Sequence, residues 1–231
     1  MKAEYFLFNI VVFIGPFILG LLKPFRFKYW TEAFVSIIIV MIPYIVWDAI
    51  VTGMHWVFNT DYILGIYFAK LPLEEWLFFI TIPFACLFTW EMIVRRVDWR
   101  YIQFIKNIRY VLYIFPVVGI LLFIRGHEYT GLVMIFLSLA LFVDGLMKTN
   151  LILQNRFYLY LFFIILFTLI FNGYLTWRPV VLYGESFQLD FRVFTIPIED
   201  FGYGLSLLYL NTILFEKLKA RKIKASNLAI I

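Results

Sequence analysis

Three stretches in the first hundred residues, 5–22, 33–47 and 76–90, pass without a single Asp, Glu, Lys or Arg. Runs that long cannot present one wet face and one dry face. They need an apolar surround on every side, and about 20 mainly apolar residues is what a helix needs to cross a bilayer. The rest of the chain repeats the pattern, with candidate spans at roughly 5–22, 33–53, 73–94, 109–125, 129–147, 157–177 and 199–217. Composition agrees: 64% of the 231 residues are hydrophobic and 15% charged, where soluble domains hold about 45–50% apolar residues. Backbone polar groups inside a bilayer must be paired within the segment, so such runs are helices. The expectation is an all-α integral membrane bundle of about seven transmembrane helices.

The net charge of +5 does not point to nucleic acid, because the basic residues sit in loops beside the spans. All but five of the twenty lysines and arginines lie in the loops after spans one, three and five or in the C-terminal tail. The other face holds Lys2, Lys70, Arg125, Arg178 and Arg192. The positive-inside rule then puts the N-terminus outside and the C-terminus in the cytoplasm, in a cell (inner) membrane. Lys23, Arg26 and Lys28 stand where a signal peptide would carry a small-residue cleavage site, so the first span is expected to be retained. The single cysteine, Cys86, permits no internal disulfide.

The spans carry an internal repeat. Pro72-Leu73-Glu74-Glu75 opens the third and Pro197-Ile198-Glu199-Asp200 the seventh, each followed seventeen residues after its first acid by a glutamate, Glu91 or Glu216. Asp48 and Thr52 lie one turn apart at the end of the second span, as Asn172 and Thr176 do in the sixth. The offsets are 124 residues for the latter pair and 125 for the acidic motif. This predicts two parallel three-helix repeats, 1–107 and 127–231, joined by a linker helix over 108–126 that restores the orientation of the first repeat. It also places Asp48, Asn172, Glu74, Glu75, Glu199 and Asp200 at one membrane face.

One acidic pair behind a proline reads as helix capping. Two such pairs, each at the mouth of a span, point to function, because ionisable groups there are costly and turn towards an interior cavity. A cluster of carboxyls at two helix starts can hold one group protonated and another ionised, the division a general acid and base require. Asp48 is the only charged residue between Glu32 and Asp61 and is expected in the same pocket, with its neutral counterpart Asn172. Thr52 and Thr176 support it or bond back to their own helices. Glu91 with Arg95, Glu216 with Lys219 and Asp144 near Lys148 have the spacing of structural helix pairs. Aromatic residues near the acidic mouth, among them Trp47, Trp56, Tyr62, Trp76, Tyr174, Trp177, Tyr183 and Tyr203, suit a greasy wall whose ring faces attract cations.

His55 and His127 show no metal-ligand spacing with cysteines or carboxylates, so no metal is expected. Neither a Gly-x-Gly-x-x-Gly stretch nor a P-loop occurs, which argues against nucleotide cofactors, and no cofactor is expected. There is no Asp-rich run to hold a magnesium diphosphate.

Leu71-Pro72-Leu73-Glu74-Glu75-Trp76, with Trp47-Asp48 and Gly53-x-x-Trp56-x-Phe58 upstream, resembles the first half of the membrane lycopene cyclases of the heterodimeric or fused type. Asn172-Gly173-x-Leu175-Thr176, Pro179-Val180-Val181-x-Tyr183 and Ile196-Pro197-Ile198-Glu199-Asp200 resemble the second half. The resemblance covers nearly the whole chain and implies the fused form. It also implies an intramolecular lyase or isomerase that turns the ψ-ends of lycopene, drawn from the bilayer, into β-ionone rings (γ-carotene and β-carotene) through a carbocation and without net redox change. Glu74, Glu75, Glu199 and Asp200 would then be catalytic, with Asp48 and Asn172 orienting them. Another membrane isoprenoid cyclase and a small parallel-repeat transporter are the competing readings, and oligomerisation is left open.

Overall fold

The computed structural model describes residues 2–107 and 114–228. The chain is mostly helical. Helices α1 (Glu4–Leu21), α2 (Trp30–Val51) and α3 (Leu73–Arg96) are followed by a short α4 (Phe115–Ile124), then α5 (Glu128–Leu146), α6 (Asn155–Trp177) and α7 (Ile198–Leu228). Five of these, α1, α2, α3, α5 and α6, are long and apolar enough to cross a membrane, and the protein is a membrane protein. Helix α7 has 31 residues, about 46 Å at 1.5 Å per residue, but Glu199, Asp200 and Asn211 dilute its apolar character. The linker expected over 108–126 is described only from residue 114, where α4 has 10 helical residues; 108–113 lie outside the described residues.

Helix termini follow their charges. Pro72, with φ −65°, precedes α3, Glu74 and Glu75 occupy its first turn, and Arg95 and Arg96 its last. Acids at the positive end of the helix and bases at the negative end both favour the helix over the coil. The same logic starts α7 with Glu199 and Asp200. Helix α6 departs from regularity: between Asn155–Phe167 and Gly173–Trp177 it contains one π-helical turn, Thr168–Asn172. Helix α2 is continuous over the corresponding residues.

Helices α3 and α7 form the centre. Helix α1 packs on α3 and α5 on α7, while α2 and α6 each touch both central helices. At the basic end Lys219 bridges Glu91 at 2.7 Å and Glu216 at 3.0 Å. Glu91 also pairs with Arg95, and Trp90 donates its indole N–H to Glu216. These are the helix pairs expected from spacing, joined into one network by Lys219. Asp144 departs from expectation: it accepts from Thr149, the Leu151 amide and Tyr209, and so fastens the turn after α5 rather than pairing with Lys148.

The all-α expectation omitted three two-stranded ribbons that the described residues form at the acidic end. Strand β2 (Tyr67–Phe68) pairs with β3 (Leu71–Pro72) just before α3, and β5 (Arg192–Val193) with β6 (Ile196–Pro197) just before α7. The third ribbon joins the two parts of the chain: β1 (Trp56–Phe58) pairs antiparallel with β4 (Val181–Tyr183), with Val57 facing Leu182. It is extended by Asn59 N–H to Val180 O (2.9 Å) and Gly184 N–H to His55 O (2.7 Å). Glycine is needed at 184, because a Cβ there would sit 2.8 Å from the Met54 carbonyl oxygen.

Removing Lys219 leaves two glutamates without their shared cation between packed helices. Breaking a buried ion pair costs about 3–5 kcal/mol. Lys219→Ala is therefore expected to lower the unfolding temperature in detergent markedly, while exposed Lys224→Ala leaves it unchanged.

Candidate functional site

Contacts at the acidic end recur at the offsets found in the sequence. The Leu73 amide donates to Ile66 O and the Ile198 amide to Phe191 O. The Leu64 amide donates to Glu74 Oε1 at 2.6 Å, and the Leu189 amide to Glu199 Oε1 at 2.8 Å. The Tyr5 hydroxyl donates to Glu75 and the Tyr129 hydroxyl to Asp200, each at 2.6 Å. Glu4 pairs with Arg178 and Glu128 with His55, so each part of the chain grips the other. Arg178, held by this hydrogen bond, has its pKa raised further above the usual arginine range.

Adjacent acids have different surroundings. One helical position apart means about 100° of rotation, so the two carboxyls of each pair cannot face the same way. Glu74 and Glu199 turn towards the loops, where one oxygen of each holds a backbone amide. Thr130 also donates to Glu199 at 2.6 Å. The second oxygen of each is buried without a protein partner. Glu75 and Asp200 turn inward and line a cavity bounded by α1, α3, α6 and α7.

Inside the cavity the carboxyls of Asp48, Glu75 and Asp200 gather from α2, α3 and α7. Asp48 and Glu75 line the same polar end of the cavity, and two carboxyls gathered in an apolar surround disfavour both being ionised at once. Asp48 accepts from Tyr203 at 2.8 Å. Asp200 accepts from three groups, Tyr129, Tyr183 and the Asn172 amide, each at 2.6 Å. Burial, with Asp200 alongside, keeps the Tyr183 phenol well above its ordinary pKa and therefore a neutral donor.

From this polar end the cavity runs between apolar walls. Along α3 its lining extends from Glu75 to Cys86, about 16 Å at 1.5 Å per residue. Phe78, Ile82, Phe167 and Leu208 form much of the wall. The rings of Trp56, Tyr183 and Tyr203 stand beside the carboxyls.

Of the residues singled out in the sequence, Asp48, Glu75, Asp200, Asn172, Trp56, Tyr183 and Tyr203 line this cavity. Glu74, Glu199, Thr52, Thr176, Trp47 and Trp76 do not. Thr176 bonds back to Asn172 O and across to Thr195, whereas the Thr52 hydroxyl is buried without a partner. Trp76 donates to Phe68 O, and Trp47 is buried against Phe136 with its N–H unpartnered. Tyr62 lies under Arg178, Tyr174 donates to Glu4, and Trp177 is exposed.

The sequence reading missed Tyr5 and Tyr129, the phenols on Glu75 and Asp200. Their signal was present: Glu4-Tyr5 and Glu128-Tyr129 open α1 and α5 at the same 124-residue offset. It also missed the Glu128–His55 contact, which joins residues 73 positions apart.

The family model described as lycopene cyclase matches residues 2–93 and 126–218. No curated protein and no solved structure matches the chain. The two matched segments carry one acidic helix start each, and together they span most of the sequence. The chain belongs to the lycopene cyclase family.

Proposed function

We propose that this protein converts the linear ψ-ends of lycopene into β-ionone rings by acid–base isomerisation, in a membrane with the acidic end outside and the basic end in the cytoplasm. Its two three-helix parts would be parallel repeats, 1–107 and 127–231, joined through 108–126. The observation that carries the reading is a cavity greasy along its length and lined at one end by three carboxyls, Asp48, Glu75 and Asp200. A hydrocarbon end fits the walls, and the polar terminus supplies groups that give and take protons.

The reaction balances without an oxidant. A proton adds to C2 of the ψ-end and leaves a tertiary cation at C1. The C5–C6 double bond attacks it, forming the C1–C6 bond and moving the cation to C5. Loss of the C6 proton then restores the double bond and completes the ring. The Asp48 and Glu75 carboxyls are suited to donate, because two acids sharing one apolar cavity favour keeping one of them protonated. Asp200 is suited to accept, because three neutral donors offset part of the cost of burying its ionised form. Trp56, Tyr183 and Tyr203 face the space where the cation forms, and each ring can stabilise a cation by about 0.5–2 kcal/mol. Glu74 and Glu199 act indirectly, by holding the loops that carry Leu64 and Leu189 over the site.

Expression in lycopene-accumulating cells, with pigment analysis, tests this. The unaltered protein is expected to yield ringed carotenes; unchanged lycopene with the protein present in the membrane would overturn the assignment. Removing a general acid or base costs about 100-fold or more. Glu75→Gln and Asp200→Asn should therefore lose product by at least that factor at unchanged protein level. Glu74→Gln and Glu199→Gln are expected to retain more activity and to lose thermal stability instead, since a weaker acceptor would face each loop amide.

A further inference from the structure

The matched contacts define which positions correspond: α1 with α5 at an offset of 124, and α3 with α7 at 125. The cavity lies among α1, α3, α6 and α7, so the corresponding cleft lies among α5, α7, α2 and α3. That cleft is filled. Phe79 and Tyr44 are fully buried within one cluster. Phe136 packs 5.1 Å from the Tyr44 ring and 4.8 Å from Trp47, and Phe79 stands 6.4 Å from Tyr44. Tyr44 is locked by its hydroxyl, which donates to Ser206 at 2.7 Å.

Sequence accounts for the difference. Where the filled cleft has Phe136 on α5, the open cavity has Val12 on α1. Where the filled cleft has Phe79 on α3, the open cavity has Gly204 on α7. A glycine in a membrane helix often serves close helix contact, but Gly204 does not. A Cβ built on it meets only Thr168 Oγ1, at 4.0 Å. By contrast, a Cβ on Gly202, half a turn away, would collide with Val133 of α5. What Gly204 provides is empty space beside the carboxyls. The π-helical turn of α6, absent from α2, borders that same space with Thr168 and Asn172.

We propose that the chain has a single ring-forming chamber, kept open by Val12 and Gly204, while Phe136, Phe79 and Tyr44 block its counterpart. The proposal rests on the cyclase reading for the occupant, a polyene ψ-end. It follows that one chain holds one polyene end at a time, and that a two-ringed product requires release and re-entry.

The test separates binding from turnover. Purified protein in lipid nanodiscs is titrated with lycopene, following the polyene's visible absorption, and each variant is also assayed for rings in cells. The unaltered chain is expected to saturate at one lycopene per chain. Gly204→Phe and Val12→Phe, which copy the blocked cleft, should lose binding by at least tenfold and ring formation with it, at an unfolding temperature close to that of the unaltered chain. Gly204→Leu, a smaller obstruction in a helix-favouring residue, should fall between and keeps the test valid if a phenylalanine variant misfolds. Phe79→Leu and Phe136→Leu, on the blocked side, should leave ring formation intact. Two lycopenes per chain, or undiminished binding in Gly204→Phe and Val12→Phe, would overturn the proposal. One lycopene bound and lost in the filled variants, but no rings from the unaltered chain, would uphold the chamber and refute the cyclase reading.

Discussion

A carboxyl group between packed helices in an apolar surround needs hydrogen-bond donors, and the acidic end of this bundle supplies at least one to each of its buried acids. Five of its acids, Asp48, Glu74, Glu75, Glu199 and Asp200, are nearly inaccessible. Their donors come from α1, α5, α6, α7 and the intervening loops. The β1–β4 ribbon, the Glu4–Arg178 and Glu128–His55 pairs and the ribbons before α3 and α7 bring those donors into range. At the other end the Lys219 network holds α3 and α7 together. The central helices are thus fixed at both ends by polar contacts, and the apolar stretch between them is free to leave a cavity.

Adjacent acids in each Pro-x-acid-acid corner divide the work. The first of each pair, Glu74 or Glu199, is used by the loop; the second, Glu75 or Asp200, reaches the cavity. The two halves are alike in this respect, yet unlike in what surrounds the second acid. Glu75 shares its end of the cavity with another carboxyl, Asp48, whereas Asp200 accepts from the amide of Asn172. One aspartate-to-asparagine difference between corresponding positions therefore sets a second carboxyl near one acid and an amide donor on the other. In the proposed reaction that asymmetry separates the acid from the base.

Much of this was legible in the sequence because apolar runs and doubled motifs survive without coordinates. Five of the seven expected spans, the acidic corners and the gathering of Asp48, Asn172, Glu75 and Asp200 at one end follow from apolar runs, loop charges and motif spacing. What spacing could not supply was rotation: neighbouring carboxyls look equivalent on paper but point about 100° apart on a helix. The ribbons were hidden because Ala69 and Lys70, which turn β2 into β3 with positive φ, carry no Asn-Gly signature. The π-helical turn in α6 has no sequence mark, and the contrast of Gly204 with Phe79 means little until one position is seen to face a void.

The central claim is that ring closure begins with a proton from the carboxyl cluster and ends with the loss of another to it. The most direct measurement is the isotope content of the product when the protein, equilibrated in deuterium oxide, acts on unlabelled lycopene. The account predicts deuterium at C2 of each new ring and none at the carbons of the untouched polyene. Rings formed in deuterium oxide with no deuterium at C2 would contradict it.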